Sequence, residues 1–319
     1  MPANLPPDYF AEEKKLKVAR TPDEKIEIIE RMLAIMPHHK GTDHLIGQLR
    51  SKIAKLKEEK ERRPQAQRKF DLLYNVNKEG AGMALFIGHP NGGKSAVVGA
   101  LSGEPLEVGD YNYTTRFLQT RMMRYEDIWI QLVDTPAVGD ESQSMWFGNM
   151  IRRADALIFV LSLSDTLELE YQILVEGTKR HIPTIDTGYD RLIIVVNKAD
   201  LTDNFTYFEA FEKRQGAGKK LLPVSATNDM NLHILKEMIF QTLGVMRVYS
   251  KLPGKKPDLD APFILTKGST TLNLAEKVHR EFVSKLRYAK LWRGEEYKGM
   301  MVGKDFVLED RDVMELHLQ

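Results

Sequence analysis

The chain has 319 residues, 42% of them hydrophobic and 29% charged, with a formal net charge of +1 and no cysteine. That length suits about two domains of ~150 residues with a sizeable core. The ordinary composition excludes a disordered or fibrous chain, and the missing cysteine excludes disulfides, thiolate zinc sites and catalytic thiols. Met1 to Phe10 carries prolines and an aspartate where a secretory leader needs an apolar run, and no uncharged stretch is long enough to span a bilayer. A cytoplasmic protein without a membrane partner is the expectation.

The first 74 residues predict helices. From Pro22, apolar residues recur at Ile26, Ile29, Leu33 and Met36, with Thr21 as N-cap and Pro37 as stop. After Gly41, Thr42 caps a second run through Leu45, Leu49, Ile53 and Leu56, so the two segments form an antiparallel pair around one apolar seam. The second helix becomes basic. Arg50, Lys52, Lys55, Lys57, Lys60, Arg62, Arg63, Arg68 and Lys69 outnumber Glu58, Glu59 and Glu61, which fits either a solvated face with ion pairs or a contact to RNA. His38, His39 and His44 near the turn lack a carboxylate or fourth ligand at useful spacing, so no metal is expected there.

Residues 75–246 carry the chemistry. Met83 to Ile87 is a short apolar run that reads as a buried strand, and it leads into Gly88-His89-Pro90-Asn91-Gly92-Gly93-Lys94-Ser95, followed by a helix from Ala96. This strand, loop and helix match the phosphate-binding pattern G-x-x-x-x-G-K-[ST]. Its glycines let backbone N–H groups turn towards a β-phosphate, and the helix N-terminus adds its positive dipole end. Lys94 then reaches the β- and γ-phosphates, and the Ser95 hydroxyl suits Mg2+.

Further signals follow in the required order. Ile128 to Val133 reads as a strand ending at Asp134-Thr135-Pro136, where an aspartate can hold a Mg2+-bound water. Leu157 to Leu161 is another strand. Leu192 to Val196 runs into Asn197-Lys198-Ala199-Asp200, in which the Asp200 carboxylate can accept two hydrogen bonds from the N1–H and N2–H2 of guanine, a pattern adenine does not offer. After the strand Leu221 to Val224, Ser225-Ala226 can bring backbone N–H groups near guanine O6. GTP and GDP are therefore the expected ligands, on an α/β core with a mostly parallel sheet and flanking helices.

Asp110-Tyr111-Asn112-Tyr113-Thr114-Thr115 resembles the switch I sequence of the Obg and developmentally regulated GTP-binding (DRG) proteins. By that resemblance Thr115 is a further Mg2+ ligand that senses the γ-phosphate. Residues 247–319 are similar to a TGS domain, a β-grasp module, through Arg247-Val248-Tyr249-Ser250-Lys251, Pro253-Gly254-Lys255-Lys256-Pro257-Asp258, Gly268-Ser269-Thr270 and Val313-Met314-Glu315-Leu316-His317-Leu318. The residues themselves predict a strand at Phe263-Ile264-Leu265, one helix from Leu272 to Arg287 with Leu274, Val278 and Phe282 inward, and a terminal strand of period two. The N-terminal helix pair, with its Lys40-Gly41-Thr42 turn, also resembles the start of the DRG proteins.

Two features depart from that family. The D-x-x-G of switch II has Ala137 in place of its glycine; Ala137 still offers an N–H to a γ-phosphate, but a positive φ there costs about 1 kcal/mol or more. The spacing from Thr115 to Asp134 and from Asp134 to Asn197 leaves no room for the domain that DRG proteins carry inside their GTPase core. Val138 stands where a water-orienting glutamine would help, so slow intrinsic hydrolysis is expected. Asn91 has two readings: it helps hold an activating K+, as in some GTPases with G-x-x-N-x-G-K-[ST], or it only shapes the loop. The resemblance implies a regulatory GTPase acting on the ribosome or structured RNA. An Obg-like ATPase and a nucleotide-dependent scaffold with negligible turnover are the alternatives, and the intact N-K-x-D speaks against the first.

Overall fold

The computed structural model describes residues 6–19, 22–36, 42–62, 76–104, 118–137, 145–201, 203, 205–294 and 297–318. They fall into two units, residues 1–73 and 74–319.

The first unit contains α1 (Pro7–Val18), α2 (Pro22–Ile35) and α3 (Asp43–Arg62). The predicted pair is α2 and α3, and its seam is built from Ile28, Ile29, Met32, Met36, Ile46 and Leu49, all buried. Helix α1 is an addition to the sequence-based expectation. Pro7 occupies its first turn, where a missing N–H costs nothing. Its Tyr9 is buried in the same cluster. On the basic face of α3, Lys57 lies 3.9 Å from Glu30 of α2, so part of that charge is paired along the exposed surface. Thr21, Pro37, His38, His39, Arg63, Arg68 and Lys69 lie outside the described residues.

The second unit opens with β1 (Met83–Gly88), α4 (Lys94–Ser102), β2 (Gln119–Tyr125) and β3 (Ile128–Asp134). It continues through α5 (Met145–Arg153), β4 (Ala156–Ser162), α6 (Leu167–Lys179) and β5 (Leu192–Asn197), then α7 (Phe205–Gln215), β6 (Lys220–Pro223) and α8 (Leu232–Leu243). The strands form one sheet in the order β2-β3-β1-β4-β5-β6, parallel throughout except for the antiparallel hairpin β2–β3. Strands β1, β4 and β5 are buried along their whole length, which is why they read as unbroken apolar runs rather than alternating ones. Ala84, Phe86, Ile158 and Val195 point to the side packed by Val98 and Leu101 of α4 and by Leu235 and Ile239 of α8. Because the strands are parallel, their C-terminal ends share one edge, and the loops that follow β1, β3, β5 and β6 gather there.

The chain then enters a smaller five-stranded sheet with almost no linker. Gly244, at φ 65°, ends α8, and β7 (Val245–Lys251) follows at once. The remaining elements are β8 (Pro257–Thr266), α9 (Thr271–Val278), α10 (Arg280–Lys285), β9 (Leu286–Arg293), β10 (Tyr297–Val302) and β11 (Asp312–Leu318), with sheet order β10-β9-β11-β7-β8. Met246, Val248, Leu265, Leu274, Ala289, Leu291 and Met314 form its core. The expected single helix from Leu272 to Arg287 is not continuous. His279 adopts extended φ −163° and ψ 137°, and its Nδ1 accepts the Glu281 N–H at 3.3 Å, starting α10 as a new helix. Phe282 is accordingly only half-buried, and the chain becomes strand at Leu286.

The two sheets of this unit meet at Arg247. Its side chain, 3% exposed, donates to Asp310 at 2.6 and 3.1 Å, to Asp127 at 2.8 Å, and to Glu126. Burial alone would lower the guanidinium pKa, but the bonds to Asp310, Glu126 and Asp127 outweigh it and raise it. The same bonds hold Asp310 and Asp127 below the usual carboxylate range against the opposing effect of burial, and Arg247 and Arg311 lower Glu126. These depressed carboxylates stabilise the fold above their unfolded pKa values near 4, and that contribution is lost as pH falls through their lower folded values. Replacing Arg247 by methionine should destabilise the fold by about 1–3 kcal/mol at neutral pH, because Asp310 loses its charged partner and Asp127 and Glu126, both part-exposed, keep only Tyr249 and Arg311. In thermal melts from pH 7 to pH 3, the unmodified protein should lose melting temperature more steeply below pH 4.5 than Arg247→Met does; parallel curves would show that the cluster contributes nothing to acid sensitivity.

Candidate nucleotide site

The loop after β1 is shaped by close packing. A Cβ on Gly88 would lie 2.3 Å from the Val160 carbonyl oxygen on β4, so this position admits no side chain. At φ 86°, Gly93 takes a left-handed conformation, and a Cβ there would lie 2.1 Å from Asn197 Nδ2. Gly92 is buried beneath the loop, while Asn91 is exposed with φ 59°. Helix α4 begins immediately afterwards, so the N–H groups of its first turn, which have no partner within the helix itself, stand at the end of the loop.

Lys94 is 6% exposed and arches back over the loop, donating from Nζ to the carbonyls of Gly88 and His89, each at 3.0 Å. Burial pulls its ammonium down to about 8, against the charges of Asp134 and Glu170, which favour the protonated form. Ser95 Oγ donates to Asp134 Oδ2 at 2.5 Å, and Asp134 is fully buried at the end of β3. A serine hydroxyl facing a carboxylate is a pair of hard oxygen donors, the set that Mg2+ accepts. The following Thr135 is locked by a bond from Oγ1 to the Phe86 carbonyl at 2.8 Å, and Ala137 is buried beyond it. Thr115 and Val138 lie outside the described residues.

Asn197, 3% exposed, joins this loop to the next. Its Nδ2 donates to the Gly92 carbonyl at 3.4 Å, and its Oδ1 accepts the Ala226 N–H at 3.2 Å. Lys198 then turns the chain at φ 66°, with the Ala199 N–H bonded to the Val224 carbonyl. This turn leaves Asp200 half-buried, with no hydrogen bond or ion pair to its carboxylate among the described residues. The Ser225 N–H donates to the Met230 carbonyl at 3.2 Å, and Ser225 Oγ accepts from the Asn228 N–H at 3.1 Å. The N–H groups of Ser225 and Ala226, expected near guanine O6, thus also hold the loop's shape, and a base oxygen would share them.

Sequence reasoning missed Glu170. From the first turns of α6 its carboxylate accepts the Ser162 N–H at 2.9 Å and the Thr166 hydroxyl at 3.2 Å, fixing the end of β4 beside the phosphate loop and placing a negative charge near Lys94. Its only sequence signal was the acidic opening of that helix.

Residues 83–198 match the family model described as 50S ribosome-binding GTPase, and residues 246–318 match the TGS domain. An uncharacterised GTP-binding protein of Methanocaldococcus jannaschii is 28% identical over 368 aligned positions, covering 92% of each chain. Developmentally-regulated G-protein 1 of Arabidopsis thaliana is 26% identical, covering 92% of this chain and 90% of its own. For developmentally-regulated GTP-binding protein 2 of Homo sapiens the identity is 23%, with 92% and 98% covered. The first alignment is longer than this chain, so that relative carries residues with no counterpart here. A GTP-binding protein from Sulfolobus solfataricus, solved with GDP, is similar at 18% identity and TM-score 0.38, over 70% of this chain and 65% of that one.

The packing around Gly93 makes a paired test. Gly93→Ala should weaken nucleotide binding by more than about tenfold and cost roughly 1–3 kcal/mol of stability, because the new methyl displaces Asn197. Gly103, at φ 75° with open space around it, should lose only about 1 kcal/mol as alanine and keep its nucleotide affinity. Equal affinities for both variants in a fluorescent-nucleotide titration would contradict the proposed seat of the phosphates.

Proposed function

Because this chain belongs to the DRG-like GTP-binding proteins that end in a TGS domain, we propose that it hydrolyses GTP to GDP and phosphate as a regulatory GTPase of the cytoplasm, acting on the ribosome or another RNA-rich complex. The observation that carries the nucleotide reading is Asp200. A half-buried carboxylate without a partner among the described residues, beside the joined loops of Asn197 and Ala226, is an acceptor for the two donors on guanine's edge.

In this reading Gly88, Asn91, Gly92 and Gly93 wrap the β-phosphate, and Lys94 compensates the charge on the β- and γ-phosphates. Ser95 and Asp134, joined by Thr115, would hold Mg2+, which when bound would supply positive charge against that of the transferring group. The Ala137 N–H faces the γ-phosphate. Asn197 and Lys198 brace the base loop, Asp200 reads guanine, and Ser225 and Ala226 wall the O6 side. Catalysis then comes from positioning and electrostatics, since Val138 stands where a glutamine would orient the attacking water and no arginine finger for the developing charge can be assigned from the sequence. Slow turnover follows, and a partner or K+ would supply the missing stabilisation. The scaffold reading, in which Ala137 and Val138 leave turnover negligible, separates from it by phosphate release with and without ribosomes.

Asp200→Asn turns an acceptor into a donor facing guanine's donors and should cost about 1–3 kcal/mol for each bond lost, collapsing GTP affinity. Equal binding of ATP and GTP to the unmodified protein would sink the guanine reading. If Asn91 helps hold K+, hydrolysis should run faster in K+ than in Na+ at fixed ionic strength and Asn91→Ser should remove the difference; identical rates would leave Asn91 a shaping role.

The ribosome reading draws on three supports: the description of the matched GTPase family, the TGS domain, and the exposed lysines of α3. The two arms, α3 and the TGS domain, would grip RNA in a GTP-dependent way, with a modest difference between nucleotide states because Ala137 restrains switch II. Ribosome binding should weaken with log salt at about −0.7 to −0.9 per phosphate contacted, and the joint alanine variant of Lys55, Lys57, Arg62 and Arg63 should flatten that slope. Identical salt dependence for both proteins would point to a protein partner instead.

A further inference from the structure

The β2–β3 hairpin links the two ends of the molecule's second unit. At one end Gln119 pairs with Asp134, the carboxylate beside Ser95, and β2 emerges there from the segment that contains Thr115. At the other end the turn residues Glu126 and Asp127 are gripped by the C-terminal domain. Arg247 bonds both of them as well as Asp310, Tyr249 donates its hydroxyl to Asp127, and Arg311 reaches Glu126 at 2.6 Å. Burial and the bond to Asp127 push the Tyr249 phenol up to about 12, so it remains a donor across the physiological range. Phe240 of α8 completes the cluster, lying 4.9 Å under the Arg247 guanidinium and stacked 4.9 Å from Tyr125, the last residue of β2.

This is more than a domain contact needs. Docking two domains requires only a patch of surface, yet here a nearly inaccessible arginine collects carboxylates from both sides, and those on the GTPase side come from a single tight turn. Between the two pinned ends runs an antiparallel ladder from Gln119–Asp134 to Tyr125–Ile128 without a bulge. The turn and the Asp134 end are thus joined by one continuous run of strand pairing, and β2 is an edge strand, paired to β3 alone among the described residues, so that a shift of the turn is carried along it. We propose that Arg247 is a positioning residue for the nucleotide reaction, setting the β2–β3 hairpin so that a partner held by the TGS domain biases the Asp134 end between its GTP and GDP states. The inference rests on the GTPase reading above and adds a regulatory input to it. Linkage makes the coupling reciprocal: whatever the TGS domain binds more tightly in the GTP state must in turn favour GTP.

The test loosens the grip from the GTPase side while leaving Arg247 bonded to Asp310. A Glu126→Gln, Asp127→Asn protein is compared with the unmodified protein and with Arg293→Lys, which weakens bonds to Asp312 and Glu309 inside the TGS domain without touching the hairpin. Dissociation constants for fluorescent GDP and for a fluorescent non-hydrolysable GTP analogue are measured in the full chain, with steady-state kcat and KM for GTP and melting temperatures alongside. The expected result is a change of about fivefold or more in the GTP-to-GDP affinity ratio, or in kcat at constant KM, for the hairpin variant alone. Arg247→Lys, which keeps the charge but loses the forked geometry, should fall between the two. A hairpin variant that melts lower yet keeps both the ratio and kcat would overturn the proposal and leave Arg247 a structural clamp. If the unmodified protein bound neither nucleotide, the GTPase reading itself would fall, which is a distinguishable outcome.

Discussion

The candidate nucleotide site depends on one small volume in which two loops must pass each other. Asn197 fills the space beside Gly93, and its amide bonds to the carbonyl of Gly92 on one side and to the N–H of Ala226 on the other. The phosphate loop and the base loop are therefore held at a fixed separation by a single side chain. The glycines answer to this packing as much as to any phosphate. Gly93 is required because Asn197 is there, and Gly88 because the Val160 carbonyl crosses close to it. In a buried setting such an amide also satisfies backbone groups that would otherwise lack partners.

A second constraint acts at the far end of the sheet. Arg247 is a fully desolvated charge, and a charge in that position is tolerated only when its donors are matched by acceptors in good geometry. Asp310, Asp127 and Glu126 supply them, and Phe240 covers the guanidinium face. With only Gly244 between α8 and β7, the C-terminal sheet has little freedom of its own. The larger and the smaller sheet are in this sense joined by both the chain and the Arg247 cluster.

Much of this was legible in the sequence because its signals are local. Strands β1, β4 and β5 announce themselves as apolar runs, and Gly88 to Ser95 and Asn197 to Asp200 are fixed by residue types at fixed spacing. What escaped was set by tertiary context. Helix α1 hides behind Pro6 and Pro7 and is settled by Tyr9 packing on α2. The break at His279 interrupts a good helical pattern because the chain must turn into β9. The Arg247 cluster unites residues about half a domain or more apart in sequence; Arg247 and Tyr249 lie in a recognisable stretch, but nothing in it points to Glu126, Asp127 or Asp310 as their partners, and Glu170 looks like any acidic residue in a first helical turn. The Ser225 and Ala226 N–H groups illustrate the same limit, since the sequence locates them but not the bonds they already make.

We propose that the Asp200 carboxylate, which has no partner among the described residues, reads the Watson–Crick edge of guanine. The most direct measurement is calorimetric titration of Asp200→Asn with xanthosine triphosphate, whose carbonyl at the base's 2-position offers an acceptor to the new amide donor. The account predicts that the variant binds this nucleotide more tightly than GTP by at least about tenfold, with the preference reversed in the unmodified protein. Loss of affinity for both nucleotides alike, in a variant that remains folded, would contradict it.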